Sequence, residues 1–167
     1  IGRALAVQLN SEGCEIYISD INPQTLDETI ALLHNKAAPI HRHILDVASK
    51  EGVHAWAESI SGEQDHVDIV INNAGVALTA MVEECDYDHL DWLMNINFWG
   101  VVYGTQAFLP LLRKSTQGHV VNLSSVFGMI GVPSQSAYNA AKFAVRGYTE
   151  AFRQEMVGSN VHVCCVH

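Results

Sequence analysis

Residues Val120–Lys142 read VVNLSSVFGMIGVPSQSAYNAAK. The stretch opens as an apolar strand, Val120 to Leu123, and stops at the pair Ser124 and Ser125. A loop containing Gly128 and Pro133 follows, and a helix is expected to start near Ser136. That helix carries Tyr138 and Lys142 four residues apart, a little over one turn, so a phenol and an ammonium share one face. A cation beside a phenol favours the phenolate, which brings such a group toward the working range of a general acid or base. Pairs of this kind also decorate ordinary helix surfaces, so the rest of the chain must decide.

Outward from this unit, strands and helices alternate. A helix over residues 3–12 has no N-cap residue and closes at Gly13. The strand 14–19 (CEIYIS) ends in Asp20, and Pro23 opens a helix that runs from Gln24 to Asn35. A strand over His41 to Leu45 ends in Asp46-Val47, and Ser49 caps a helix to about Ile60. The strand Val67 to Ile71 runs into Asn72-Asn73-Ala74-Gly75, and a long helix is expected from about Tyr87 to Arg113. The helix begun at Ser136 extends to about Val157, and Val161 to Val166 is a last strand. Such alternation means βαβ units and a parallel sheet. The near-continuous apolar runs VDIVI and VHVCCV fit a sheet covered on both faces. The expected fold is a doubly wound α/β sheet of the Rossmann type, a three-layer sandwich in one domain. Ligands bind at the carboxyl ends of strands in such sheets, and polar residues stand there: Asp20, Asp46, Asn72-Asn73 and Ser124-Ser125.

A carboxylate at the end of the second strand of a dinucleotide fold accepts hydrogen bonds from ribose hydroxyls and repels a 2′-phosphate. Asp20 has that position, and it is followed by Ile21 where a phosphate binder would gain from Arg. NAD is therefore expected over NADP. Asp20 also reads as a helix-initiating residue ahead of Pro23.

The chain has 167 residues, 49% hydrophobic and 16% charged, as suits a single globular domain. Nine basic against eighteen acidic residues give −9, which argues against nucleic acid or an anionic membrane as partner. No apolar run reaches the roughly 18 residues of a membrane span. Cys14, Cys85, Cys164 and Cys165 show no zinc or CxxC spacing and read as buried reduced thiols of a cytoplasmic protein. His41 and His43 alternate on a strand and read as half-exposed positions rather than metal ligands, so no metal is expected. Ile1-Gly2 has no initiator Met before it, and the last strand has nothing to cover it, so both ends read as cut.

At this point the residues resemble the short-chain dehydrogenase/reductase family, in its single-domain branch. The matching pieces are NNAG at Asn72–Gly75, Asn97-x-x-Gly100, and Ser125 thirteen residues before the Tyr138 of YNAAK. Asp46-Val47 also matches, and Ile1-Gly2-Arg3 resembles the tail of the family's glycine-rich phosphate loop. The resemblance covers essentially the whole chain. It departs in lacking the first strand, most of the glycine loop and everything after the sixth strand. In the family's strand order the missing strand is central, so sheet edges are expected to lie unpaired beside it. Residues 1–167 alone are accordingly expected neither to fold cooperatively nor to bind NAD.

The resemblance implies hydride exchange between NAD(H) and a secondary alcohol or ketone. Tyr138 would be the general acid and base, Lys142 would support it and hold the nicotinamide ribose, and Ser125 would orient the substrate oxygen. Asn97 would disturb the long helix and anchor a water that links Lys142 to solvent. Ser124, outside the thirteen-residue spacing, is expected to bond locally to backbone. Gly2, Asp20, Asp46, Val47, Asn73, Ala74 and Gly75 would line the cofactor site. Val126, Phe127, Met129, Ile130, Val132 and Pro133, with Val76 to Leu78, suggest an apolar substrate pocket. The resemblance also implies a homodimer or homotetramer built on the long helix and the helix after Tyr138. Two alternatives stand beside this reading. An NADPH-dependent carbonyl reductase would carry a basic residue in the glycine loop, and a nonenzymatic dinucleotide-sensing regulator would usually have lost Tyr, Lys or Ser.

Overall fold

Helix and strand signals alternate along the chain, and the structure, a computed structural model describing residues Ile1–His167, follows them in order. Two compact units result, Ile1–Asp46 and Val47–His167.

The first unit holds α1 (Gly2–Ser11), β1 (Ile16–Asp20), α2 (Pro23–Ala31) and β2 (Ile40–Ile44). As expected, α1 has no side-chain cap at its start, and Gly13 ends it at φ +86°. β1 and β2 run parallel, with Ile16 opposite Ile40 and Asp20 opposite Ile44. Ala6, Ile16 and Leu33 make the core of this unit, packed by Val7, Leu9, Cys14, Ile18 and Ile40. The N-cap of α2 is Asn22, not Asp20: its side chain accepts from the N–H groups of Gln24 and Thr25, with Pro23 at the first helical position. Asp20 acts one step earlier, its Oδ1 accepting from Asn22 N at 2.9 Å. α2 stops at Ala31, short of the expected Asn35, whose N–H and C=O are instead bound by the buried Asn10 amide.

The second unit holds α3 (Lys50–Glu63), β3 (Ile69–Asn72), α4 (Tyr87–Met94), α5 (Gly100–Leu112), β4 (Gly118–Leu123), α6 (Ser136–Glu155) and β5 (Val161–Val166). Ser49 caps α3 through Gly52 N, as expected. The long helix is interrupted by a π-turn over Asn95–Trp99 that joins α4 to α5. β3, β4 and β5 are parallel in that order. All strand pairing is thus parallel and interleaved with helices, the doubly wound α/β class. It falls into two sheets rather than one, and β1 and β3 each pair with a single strand.

Side-chain bonds identify the covered face of the larger sheet. Asn72 and Asn122 stand opposite each other, and the Asn72 amide donates to Asn122 Oδ1 at 2.8 Å and to Thr105 of α5 at 3.3 Å. Asn122 in turn donates to Thr149 of α6 at 3.0 Å. α5 and α6 therefore lie on the Asn72–Asn122 face. Asn122, Thr105 and Thr149 are fully buried, and this chain of amides and hydroxyls keeps them satisfied. Gly104 leaves the room for it, since a Cβ there would collide with the Asn72 amide oxygen. The other face is less covered than expected: along β5, His162, Cys164 and Val166 point to it and are exposed, while Val161 on the covered face is buried. The expectation of buried thiols fails as well. Cys164 is exposed and the other three cysteines are half-buried, all four as free thiols. His41 is half-buried, 2.8 Å from Glu15 and stacked on Tyr17, and His43 is exposed.

Candidate active site

The carboxyl end of β4 and the first turns of α6 are tied together twice. Lys142 is 4% exposed and its Nζ donates to the Leu123 carbonyl at 2.9 Å. In return Ser124 Oγ donates to the Lys142 carbonyl at 2.9 Å. Ser124 thus bonds to backbone eighteen residues away, not locally; Ser125 makes the local bond, its Oγ accepting from Phe127 N at 3.2 Å. Accepting that bond leaves the Ser125 hydroxyl proton available to a ligand.

Tyr138 sits half-buried one turn before Lys142, whose Nζ is 5.7 Å from the phenol ring centre. Its ring stem packs on Leu93, Ala137 and Ala141, and the Phe127 ring meets it edge-on at 6.1 Å between centres. Burial pushes the Lys142 ammonium below the ordinary lysine range, and the nearby Cys165 thiol opposes part of that shift. Lys142 therefore has strong reason to favour any anionic oxygen placed beside it.

Asn97 meets this group from the other side. It is fully buried in the π-turn, its Oδ1 accepting from Val76 N and its Nδ2 donating to Val76 O, both at 2.8 Å. The side chain so mimics a strand partner for the segment after NNAG. Gly75 is what it holds in place: a Cβ on Gly75 would stand 3.3 Å from Asn97 Oδ1 and 3.6 Å from Lys142 Nζ. The glycine keeps an open approach from exposed backbone to the lysine. Asn73 is half-buried, and Ala74 and Gly75 are exposed. Val47 belongs to the same unit, packed on Gly100, where a Cβ would be 3.0 Å from its Cγ2. Two further bonds, Gln135 to Thr79 Oγ1 and Ala80 N to Ser134 O, stitch the loop after Gly75 to the start of α6.

Ser125, Tyr138, Lys142, Asn97 and Gly75 are thus linked through contacts within one unit. Gly2, Asp20 and Asp46 lie in the other unit: Gly2 is the first residue of α1, the exposed Asp20 is the last residue of β1, and the exposed Asp46 lies just beyond β2. A separate cleft of about 310 Å³ runs between α5 and α6, lined by Thr105, Leu109, Tyr148 and Phe152, and does not include Tyr138. Sequence reading missed the Asn72–Asn122–Thr149 chain. The available signal was an Asn in the middle of an otherwise apolar strand, which burial obliges to find a partner.

The model of the short chain dehydrogenase family matches residues 1–167. The chain belongs to the short-chain dehydrogenase family. An oxidoreductase of Mycobacterium tuberculosis named SadH is 46% identical to it, over 100% of this chain and 61% of SadH. Cyclopentanol dehydrogenase of Comamonas testosteroni is 32% identical, over 100% of this chain and 67% of that protein. Among solved structures, carveol dehydrogenase of Mycobacterium avium in complex with NAD superimposes with a TM-score of 0.91 at 28% identity, covering 98% of this chain and 64% of that one. The chain therefore spans about three-fifths of the length of SadH.

Proposed function

We propose that this chain carries the catalytic centre of an NAD-dependent oxidoreductase that interconverts apolar secondary alcohols and ketones. The observation that supports it best is the buried Lys142 beside Tyr138, facing the open backbone at Gly75. When bound, the nicotinamide supplies the hydride acceptor or donor. Tyr138 takes the alcohol proton at its phenol oxygen or returns it to the ketone. Ser125 holds the substrate oxygen with its free hydroxyl proton, and Lys142 favours the phenolate and holds the ribose hydroxyls. The exposed backbone at Ala74 and Gly75 suits close approach of a dinucleotide, and we assign Asn73 and Val47 of the same unit to it; Gly2 and Asp46 are assigned to the cofactor from the family resemblance alone. Asn97 commits both side-chain polar atoms to Val76. The water link to Lys142 expected of it is therefore assigned to the backbone of the π-turn, with the side chain fixing Gly75.

Names of relatives favour the same chemistry, since cyclopentanol dehydrogenase and the NAD complex of carveol dehydrogenase both denote secondary alcohols. Val126, Met129 and Ile130 expose apolar surface in the loop after Ser125, in keeping with such a substrate. The direct test is absorbance at 340 nm, with the full-length protein given NAD or NADP and cyclopentanol, carveol, cyclohexanol or 2-octanol. Reduction of NAD with at least one of them is expected; reduction of NADP alone would overturn the cofactor assignment.

Asp20 gives a sharper form of that test. Asp20→Ala removes the carboxylate that repels a 2′-phosphate, and the NADP-to-NAD ratio of kcat/KM is expected to rise about tenfold or more, roughly 1.4 kcal/mol. An unchanged ratio would remove Asp20 from the cofactor site.

No helix is long and apolar enough to cross a membrane. We place the protein in the cytoplasm, acting on a small molecule rather than nucleic acid. A homodimer or homotetramer is proposed, because Trp99 and Phe143 are each 43% exposed on the π-turn and α6. Light scattering coupled to size exclusion should give two or four times the chain mass; a monomer would refute it.

A further inference from the structure

Asn139 follows Tyr138 directly and is buried, yet its amide makes no bond within its own helix beyond the backbone. Its Nδ2 donates to the Phe127 carbonyl at 2.5 Å and to the Ile130 carbonyl at 2.7 Å. Its Oδ1 accepts from Val132 N at 3.0 Å. Three backbone groups of one six-residue segment are thus held by one side chain, with both amide protons used. No other side chain of this length supplies two donors and an acceptor: Asp cannot donate, and Leu of similar shape does neither.

The segment it grips is the one that follows Ser125. Gly128 lies directly on α6, since a Cβ there would stand 2.7 Å from the Lys142 carbonyl and would collide with Ser124 Oγ. Further along, Ser134 adopts a left-handed backbone at φ 61°, uncommon for a residue with a side chain. Phe127 connects the grip to the chemistry. Its carbonyl is held by Asn139, its N–H donates to Ser125 Oγ, and its ring meets Tyr138 edge-on. We propose that Asn139 is a positioning residue, clamping the segment Phe127–Val132 onto α6 so that Ser125 and Tyr138 address one substrate oxygen. This rests on the roles assigned above to Ser125 and Tyr138.

The full-length protein with Asn139→Leu and Asn139→Asp tests it, with cyclopentanol and NAD as the assay pair. Hydrogen exchange of peptides covering 126–133 should quicken in both variants, while NADH affinity by fluorescence titration stays within about twofold. kcat/KM for cyclopentanol should fall about 10- to 100-fold, as for a small misplacement of a reacting group. In a Ser125→Ala background the same Asn139→Leu change should cost less than about twofold, because the clamp acts through Ser125. A purely structural role would give additive losses instead. Should Asn139→Leu fail to fold, Asn139→Ser, which can reach at most one of the three partners, enters the same cycle. Unchanged exchange in 126–133, turnover within twofold of the unsubstituted protein, or additive losses would each overturn the clamp. Absence of turnover in the unsubstituted protein with all four alcohols would instead sink the reading of Ser125 and Tyr138 themselves.

Discussion

Tyr138→Phe in the full-length protein should lower kcat by about 10²- to 10⁴-fold, the usual worth of a positioned general acid or base. The change removes one oxygen and little else. The ring packs on Leu93, Ala137 and Ala141 and against Phe127 through carbon, and those contacts persist in phenylalanine. Lys142 Nζ is anchored by the Leu123 carbonyl rather than by the phenol, so its place does not depend on that oxygen. Thermal stability and NADH affinity should therefore hold while turnover is lost. Stopped-flow turnover beside a fluorescence titration of NADH separates these quantities, and retained turnover would refute the assignment of Tyr138.

Lys142→Met should remove activity by a similar factor, but with two further signatures. NADH affinity should drop as well, since Lys142 is assigned to the ribose hydroxyls. The second signature lies in stability. Burial lowers the folded-state pKa of Lys142 below its ordinary 10.5. Between the lowered value and 10.5 the unfolded chain binds more protons than the folded one, so stability rises with pH across that window. Above 10.5 the lysine is neutral in both states and the gain is complete; below the folded value the buried ammonium is a net cost. Methionine has no such titration. Against this stands the loss of one hydrogen bond to Leu123 O, about 1 kcal/mol. Urea unfolding of both proteins from pH 7 to 10.5 should show a stability difference that moves in favour of the unsubstituted protein as pH rises. A difference independent of pH would mean that the Lys142 ammonium is not desolvated in the folded protein.

The order of elements was legible because capping and stop residues say where helices begin and end, as Ser49, Pro23 and Gly13 do. The interruption of the long helix was legible only through the resemblance, which has Asn97 disturb it, since nothing in local propensity distinguishes Asn95–Trp99 from ordinary helix. It forms where Asn97 has to turn its amide onto the backbone of Val76, a partner twenty-one residues away. The catalytic candidates were legible from spacing: four residues on a helix place Lys142 beside Tyr138 whatever surrounds them. Their supports were not. Ser124 and Asn139 reach backbone carbonyls across the β4–α6 connection, and such targets carry no sequence mark. Burial was misjudged for Cys164 because an apolar run fits a strand covered on one face as well as one covered on both. Thr105 of α5 and Thr149 of α6 meet the sheet at Asn72 and Asn122, the face opposite to that of Cys164.

The central claim is that hydride leaves the alcohol carbon under the control of Tyr138. Its most direct measurement follows label. The full-length protein receives NAD and the fastest-oxidised of the four alcohols, deuterated at the carbinol carbon, and the reduced nucleotide is weighed by mass spectrometry. The expected result is reduced nucleotide one mass unit heavier, formed by the unsubstituted protein and lost with Tyr138→Phe. Unlabelled reduced nucleotide, or equal labelling by the Tyr138→Phe protein, would contradict the assignment.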